Sequence, residues 1–473
     1  MMNYQEALAY IYSFIDYERS GKYTRDRNEN LEREKALLDQ LGNPQQKYSN
    51  TLIAGTKGKG STAALIERVL REAGISTGLY TQPDLHTFRE RAQVNGRMIS
   101  EEEVAELVPD LRAAVEQIQS WHKFEPFITY EVGTALALLY FARQQVQHAV
   151  VEVGLGGRLD ATNVTHPLVS VIASISYDHM SILGNTLDKI ATEKAGIIKQ
   201  NGPVVTSARP PEALLAIARV AQQRAARMVR VGPSDDDPAQ AEVDAGKLPP
   251  LSYRYRLEER HGQQQRFTVW TPERVYNGLE IPLAGEHQIE NATLALATLD
   301  MLRERGISWD EQALRRGLAL VHWPARIEVV GQNPTIVVDG AHNADSMQKL
   351  VQALRSSFDM HRLIVVLGTN KDKDQGGIAR ELAEADAVVL TKIHNPRTTA
   401  IETLESAFVE HAPDVIRYMA SDLEEAMALA LDLADNNDLI CVTGSVYLAG
   451  EALRWAAAHG SATAAAEIGG VDH

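Results

Sequence analysis

Three glycines, two lysines and three hydroxyl side chains crowd one short stretch, Gly55-Thr56-Lys57-Gly58-Lys59-Gly60-Ser61-Thr62. Closely spaced glycines let backbone N–H groups converge on one point, and a helix start just beyond adds positive potential. A lysine there supplies a point charge for the outer phosphates of a nucleotide. Gly55, Thr56, Gly58, Lys59, Gly60 and Ser61 are therefore the expected phosphate-binding residues. The strict pattern G-x-x-x-x-G-K-[ST] fails twice, because Ile53 stands where its first glycine belongs and Gly60 follows Gly58-Lys59. A plain flexible turn would explain the glycines but not the lysines and hydroxyls at a helix start.

Two further chemical groups sit where strands are expected to end. One strand closes on Glu152, ahead of Val153-Gly154-Leu155-Gly156-Gly157-Arg158-Leu159-Asp160-Ala161-Thr162-Asn163, and the next closes near Ser176-Tyr177-Asp178-His179. Ligands of parallel sheets gather at the carboxyl ends of strands, so Glu152 and His179 could share a crevice with Lys59 and hold Mg²⁺ there. Imidazole is an unusual Mg²⁺ ligand, and a lone histidine is more often structural. Lys194 falls on the apolar face of an expected helix, 186–199, four residues after Ile190. An unpaired ammonium there is costly, which leaves snorkelling, pairing or chemical modification.

These groups need strands and crossover helices to position them. Apolar β-rich runs at 51–54, 148–153, 168–175 and 203–206 alternate with helical stretches at 61–72, 100–121 and 128–143, the last apolar almost all round. A second alternation follows Trp323-Pro324, with strands at 335–338, 363–367, 387–390 and 439–443 and helices at 345–358 and 423–434. The expected fold is α/β: a P-loop-containing, mostly parallel ATPase domain over 1–321, then a smaller Rossmann-like domain over 322–455, with a hinge near 321–326. A polar stretch near 232–265 reads as a surface insertion. It ends in a β-hairpin at 253–257 and 267–270, read as decoration without function. Residues 456–473 read as a flexible tail.

The length of 473 residues suits two large domains or three ordinary ones. A net charge of −16 argues against nucleic acid as a partner and poses the question of where an acidic protein holds anions. One cysteine, Cys441, permits no internal disulfide. No basic leader or long apolar run is evident, so a cytoplasmic protein without membrane contact is expected.

Taken together, the segments resemble the folylpolyglutamate synthase and dihydrofolate synthase family of the Mur ligase superfamily. The loop Gly-Thr-Lys-Gly-Lys-Gly-Ser is similar to that family's Gly-Thr-Asn-Gly-Lys-Gly-Ser, and Glu152 to Asn163 matches its signature without a change. Matches continue through Asp178-His179, Glu193-Lys194-Ala195-Gly196, Gly285-Glu286-His287-Gln288 and Trp323-Pro324-Ala325-Arg326. They end with Asp339-Gly340-Ala341-His342-Asn343, Asp372-Lys373-Asp374, Pro396-Arg397 and Gly444-Ser445-Val446-Tyr447. The family's Ser-Pro-His motif is replaced by Thr81-Gln82-Pro83-Asp84-Leu85-His86. Gln82 thus stands in for a serine that helps hold Mg²⁺, while Asp84 and His86 read as surface polarity rather than a displaced histidine.

The resemblance implies an ATP-dependent ligase that joins L-glutamate to a folate carboxylate through an acyl phosphate, with or without dihydrofolate synthase activity on dihydropteroate. The alternatives are a monofunctional dihydrofolate synthase and, more remotely, a nucleotide-binding regulator without catalysis. It further implies that Gly58, Lys59, Gly60 and Ser61 hold ATP phosphates and that Asn291, Arg326 and Asp339 also contact ATP. Glu152, His179, Gln82 and an N-carboxylated Lys194 would hold two Mg²⁺ ions, and His342, Ser445 and Tyr447 would lie by the incoming glutamate. Lys59, Lys194, His342 and Asp339 form the implied catalytic set, in a monomer.

Overall fold

The computed structural model describes residues 2–16 and 29–461. Among these, the chain builds two sheets. The larger has eleven strands. Its centre is a parallel run ordered Met228–Pro233, Val204–Thr206, Val169–Ile172, Ser49–Ala54, His148–Glu152, Thr77–Tyr80. Strand Ser49–Ala54 therefore lies between the strands that deliver Glu152 and His179. The expected strand 168–175 stops at Ile172 because the phosphate loop captures the residues beyond it. Ala173 N donates to Ala54 O at 2.8 Å and Thr56 N to Ser174 O at 2.7 Å.

Helices cover both faces of this sheet, as crossover connections require. Thr129–Arg143 is buried nearly all round, as its composition implies, and carries Glu131, which is fully buried against Arg33. Ser100 caps Glu101–Gln119, its hydroxyl accepting from Glu103 N at 3.1 Å.

The stretch expected to be a surface insertion is partly core. Strands Leu251–His261, Gln264–Trp270 and Val275–Ile281 extend the main sheet from its Met228–Pro233 edge. Tyr253, Tyr255, Phe267 and Val269 point inward against helix Glu286–Glu304. Alternation of apolar and polar residues was the correct sign of a hairpin, but one face of it closes the core. Its Gly262-Gln263 turn also reaches the second domain: Gln263 Nε2 donates to Ile327 O at 2.9 Å and Arg260 Nη1 to Ser356 O at 3.4 Å.

The second sheet has six strands, ordered Glu328–Gly331, Thr335–Val338, Leu439–Thr443, Leu363–Leu367, Ala387–Leu390, Ile416–Met419, parallel except for the first pair. The expected boundary at 321/322 falls in the connection between helix Glu311–Ala319 and strand Glu328–Gly331. Residues 456–458, expected to start a flexible tail, instead complete helix Val446–Ala458, where Ala456 packs into the core; residues 462–473 lie outside the described residues. Among the described residues, no helix is long and apolar enough to cross a membrane.

Because Phe267 is 0% exposed, Phe267→Ala is expected to cost about 3–5 kcal/mol, as large core truncations do. Glu259→Ala on the solvent face of the same hairpin should stay within about 0.5 kcal/mol. Equilibrium denaturation of both variants checks whether the hairpin is core or decoration.

Candidate active site

The phosphate loop is shaped by close neighbours. Gly58 has φ +83°, and a Cβ there would lie 2.4 Å from Asn291 Oδ1. A Cβ on Gly60 would meet the Trp323 ring at 2.8 Å. Only glycine fits at either position. Thr56 fixes the loop to the neighbouring strand end, Oγ1 donating to Ser176 O and accepting from Ser176 N, both at 3.2 Å. Helix Lys59–Glu72 then starts without a side-chain cap at the cleft, which Lys59, Gly60 and Ser61 line.

Glu152 is 4% exposed at its strand end. Its Oε1 lies 3.7 Å from Lys59 Nζ and its Oε2 accepts from the Gln82 backbone N at 3.4 Å. Burial raises the affinity of this carboxyl for a proton, with Lys59 opposing. Gln82 thus meets Glu152 through its main chain, while its side-chain amide lies by Gly154 and Tyr130. His179 opens onto the cleft, its Nε2 3.8 Å from Asp178 Oδ1. Burial lowers its pKa to about 4, outweighing the attraction of Asp178, so the ring is neutral at pH 7 and has a lone pair to offer.

Lys194 answers the question its helix posed. It neither snorkels nor pairs with a carboxylate: it is 5% exposed and its Nζ donates to Gly55 O at 2.8 Å. Burial, then repulsion from Lys59, lowers its pKa to about 7.

The second domain supplies the opposite wall. Asp339, 8% exposed, accepts from Ala341 N at 2.7 Å and Ile327 N at 2.9 Å, so each carboxylate oxygen holds a backbone amide. Arg326 lies beside it, anchored by Nη1 to Ala325 O at 2.8 Å. His342 Nδ1 is 2.9 Å from Gly340 O, and its Nε2 is 3.3 Å from Lys57 Nζ. Lys57 Nζ also lies 3.3 Å from Asp178 Oδ2. Ser445, 1% exposed, caps helix Val446–Ala458 by accepting from Tyr447 N at 3.2 Å, and Asn291 donates to Gln288 Oε1 at 3.0 Å.

All of these face one cleft of about 1070 Å³, and every site residue singled out from the sequence lines it. The first domain also lines it with the largely apolar side chains of Ile15, Ile128, Tyr130, Leu155 and Leu159, beside polar ones such as Asp16, Asn30, Arg91 and Asp160. Sequence reasoning missed the bridging role of Lys57, as well as Tyr130, Asp178, Lys373 and Arg397. The last three lay within quoted motifs, but nothing in their spacing said that they would converge. Among the described residues, no three His, Cys, Asp or Glu side chains converge as a metal cage.

Asp84 and His86 are not surface polarity. Asp84 Oδ1 accepts from Arg91 Nε at 2.5 Å, and Glu90 accepts from the backbone N–H groups of Leu85, His86 and Thr87. His86 Nδ1 lies 2.8 Å from Arg454 Nη1 on helix Val446–Ala458. Leu85 packs against the second domain, and its carbonyl oxygen would lie 2.6 Å from a Cβ on Gly450. The departure from the family motif is an interdomain contact.

The Mur ligase middle domain family matches residues 53–299, and the Mur ligase glutamate ligase domain family matches residues 325–446. The chain is 36% identical over 427 residues to dihydrofolate synthase/folylpolyglutamate synthase of Bacillus subtilis, covering 88% of this chain and 92% of that protein. It is 35% identical to folylpolyglutamate synthase of Lacticaseibacillus casei, covering 95% of this chain and 97% of that one. Among solved structures, Mycobacterium tuberculosis folylpolyglutamate synthase complexed with ADP and AMPPCP superposes with a TM-score of 0.81 at 33% identity, over 90% of this chain and 95% of that one. Escherichia coli FolC in complex with DHPP and ADP gives 0.80 at 27% identity, over 97% and 98%.

The folded pKa of Lys194, about 7, lies below the unfolded value of about 10.4. Between those values the unfolded chain binds more protons, so this residue makes stability rise with pH across that window. In bicarbonate-free buffer, the stability difference between wild type and Lys194→Met should therefore shift in favour of wild type from pH 7 to pH 10. Urea unfolding at several pH values checks the sign.

Proposed function

The chain belongs to the folylpolyglutamate synthase/dihydrofolate synthase family of the Mur ligases, and on that premise we propose how its cleft forms an amide between a folate carboxylate and L-glutamate at the expense of ATP. The observation that carries this reading is one cleft in which the phosphate loop faces Arg326, Asp339 and His342 of the glutamate ligase domain. A carboxylate is a poor electrophile, so the terminal phosphoryl group of ATP first passes to it, giving an acyl phosphate and ADP. The glutamate amine then displaces phosphate.

Both steps gather negative charge on phosphoryl oxygens. Lys59, the N-terminus of helix Lys59–Glu72 and Arg326 are assigned to receive it. Asp339 acts by holding Ile327 and so fixing Arg326. The lining around Ile15, Tyr130 and Leu159 is assigned to the ring system of the folate, with its carboxylate set toward Lys59. His342, Ser445 and Tyr447 are assigned to the incoming glutamate. Amine attack needs an unprotonated amine and little water, conditions that favour a closed cleft.

The donor set suits Mg²⁺. Mg²⁺ is held by few protein groups plus phosphate oxygens and water, and Glu152 with the neutral His179 are such groups, beside the backbone of Gln82. The ion would neutralise phosphoryl charge. The lowered pKa of Lys194 supplies the free amine that carboxylation by CO₂ requires, and the resulting anion would serve a second ion.

Purified protein given ATP and glutamate should release ADP when tetrahydrofolate or dihydropteroate is added, with a product heavier by one glutamate residue in mass spectrometry. Activity with dihydropteroate alone would mark a monofunctional dihydrofolate synthase. Lys59→Ala should lower acceptor-dependent ADP release by about a hundredfold or more, the scale of losing a preorganised charge at the transition state. Unchanged release in that variant would refute the mechanism.

A further inference from the structure

Lys57 is the position at which this loop departs from the Gly-Thr-Asn-Gly-Lys-Gly-Ser pattern. As a phosphate-loop residue it needs only its backbone, yet its side chain crosses the cleft. The ammonium meets Asp178 Oδ2 of the first domain and His342 Nε2 of the second, each at 3.3 Å. His342 Nδ1 faces a carbonyl oxygen, Gly340 O, at 2.9 Å, so Nδ1 carries the ring proton and Nε2 offers its lone pair to Lys57. Asp178 is itself fixed, its Oδ1 accepting from His179 N at 2.9 Å.

We propose that Lys57 is a positioning residue for the glutamate-adding step: it joins the two domains through Asp178 and His342 and holds the His342 ring in one tautomer and orientation toward the incoming amino acid. The inference rests on the assignment of His342 to the glutamate end of the cleft. Three features support it. The contact lies inside the cleft, beside a longer link from Ser176 Oγ to Asp345 Oδ2 at 3.4 Å, whereas the His86–Arg454 contact ties the domains outside it. The ammonium has proton donors for both partners and one more for the cleft. Asparagine, shorter and uncharged, spans neither contact, so the departure from the pattern adds a link between domains rather than a phosphate ligand.

The test uses full-length Lys57→Met, which keeps length and removes charge, with Lys57→Asn, the pattern's own residue, as a second variant compatible with the loop, and Lys57→Arg as the conservative variant. Loss of a charge-assisted hydrogen bond corresponds to about a tenfold or greater effect. In Lys57→Met and Lys57→Asn the KM for glutamate should rise by about that factor. Affinity for an ATP analogue, measured by calorimetry without folate, should stay within about twofold, and Lys57→Arg should recover part of the loss. Nitrogen-15 histidine NMR should find His342 as the Nδ1–H tautomer in wild type and as a mixture in Lys57→Met. An unchanged glutamate KM with an unchanged His342 spectrum would overturn the proposal, as would an equal loss of ATP-analogue affinity. Absence of acceptor-dependent ADP release in wild type would instead overturn the functional reading, while the NMR result would still decide whether Lys57 holds His342.

Discussion

The cleft depends on how three lysines are kept close together out of bulk water. Lys57, Lys59 and Lys194 gather around the phosphate loop, and repulsion from Lys59 adds to the cost of burying Lys57 and Lys194. Each amino group is given an oxygen: Asp178 for Lys57, Glu152 for Lys59, the Gly55 carbonyl for Lys194. These partners come from three different strand ends and loops, so the loop's charge can exist only where the parallel sheet brings those ends together. An anionic substrate entering the cleft meets the prearranged charge of Lys59 and of Arg326 on the opposite wall. The net charge of −16 describes the whole chain, not the cleft.

Much of the long Glu152–Asn163 signature serves geometry rather than chemistry. Asp160 accepts from Leu155 N, Thr162 N, Thr162 Oγ1 and Tyr130 OH, closing the loop on itself and on helix Thr129–Arg143. Asn163 Nδ2 then donates to Arg158 O and Gly196 O, tying the same loop to the end of the helix that carries Lys194. Glu152 and Lys194 thereby keep a fixed relation although 41 residues separate them. Side chains that touch no phosphate decide where those that do will stand.

What could be read from the sequence followed the range of the interaction involved. The phosphate loop and its glycines are local, and their residue types and spacing sufficed. The two α/β units were legible because apolar periodicity reports burial. The hairpin was recognised, but its burial was not, since the partner face of Phe267 and Tyr253 is a helix more than fifteen residues away in sequence. His86 was misread for the same reason, because Arg454 and Gly450 lie hundreds of residues on, whereas the partner of Asp84, Arg91, was only seven residues away. Lys57 was noticed as charge in a loop. Its second partner, His342, could come only from three-dimensional contact.

The connection between the domains carries backbone strain that limits where it can bend. Ala325 and Ile327 have φ of +54° and +52° on either side of Arg326, a region that is unfavourable for a β-branched residue. Such residues persist where their surroundings over-determine them, and here Ala325 N donates to Glu328 Oε2 at 2.8 Å and Ile327 N to Asp339 Oδ2 at 2.9 Å. Both acceptors belong to the second domain. Residues 325–328 are therefore part of that domain rather than a loose joint, and any rotation between the domains carries Arg326, Asp339 and His342 together. A bend between the domains would therefore fall before Ala325, in the stretch that follows helix Glu311–Ala319 and includes the half-exposed Leu320. A hinge placed there changes the distance from Arg326 to Lys59 without disturbing the hydrogen bonds that orient Arg326 itself.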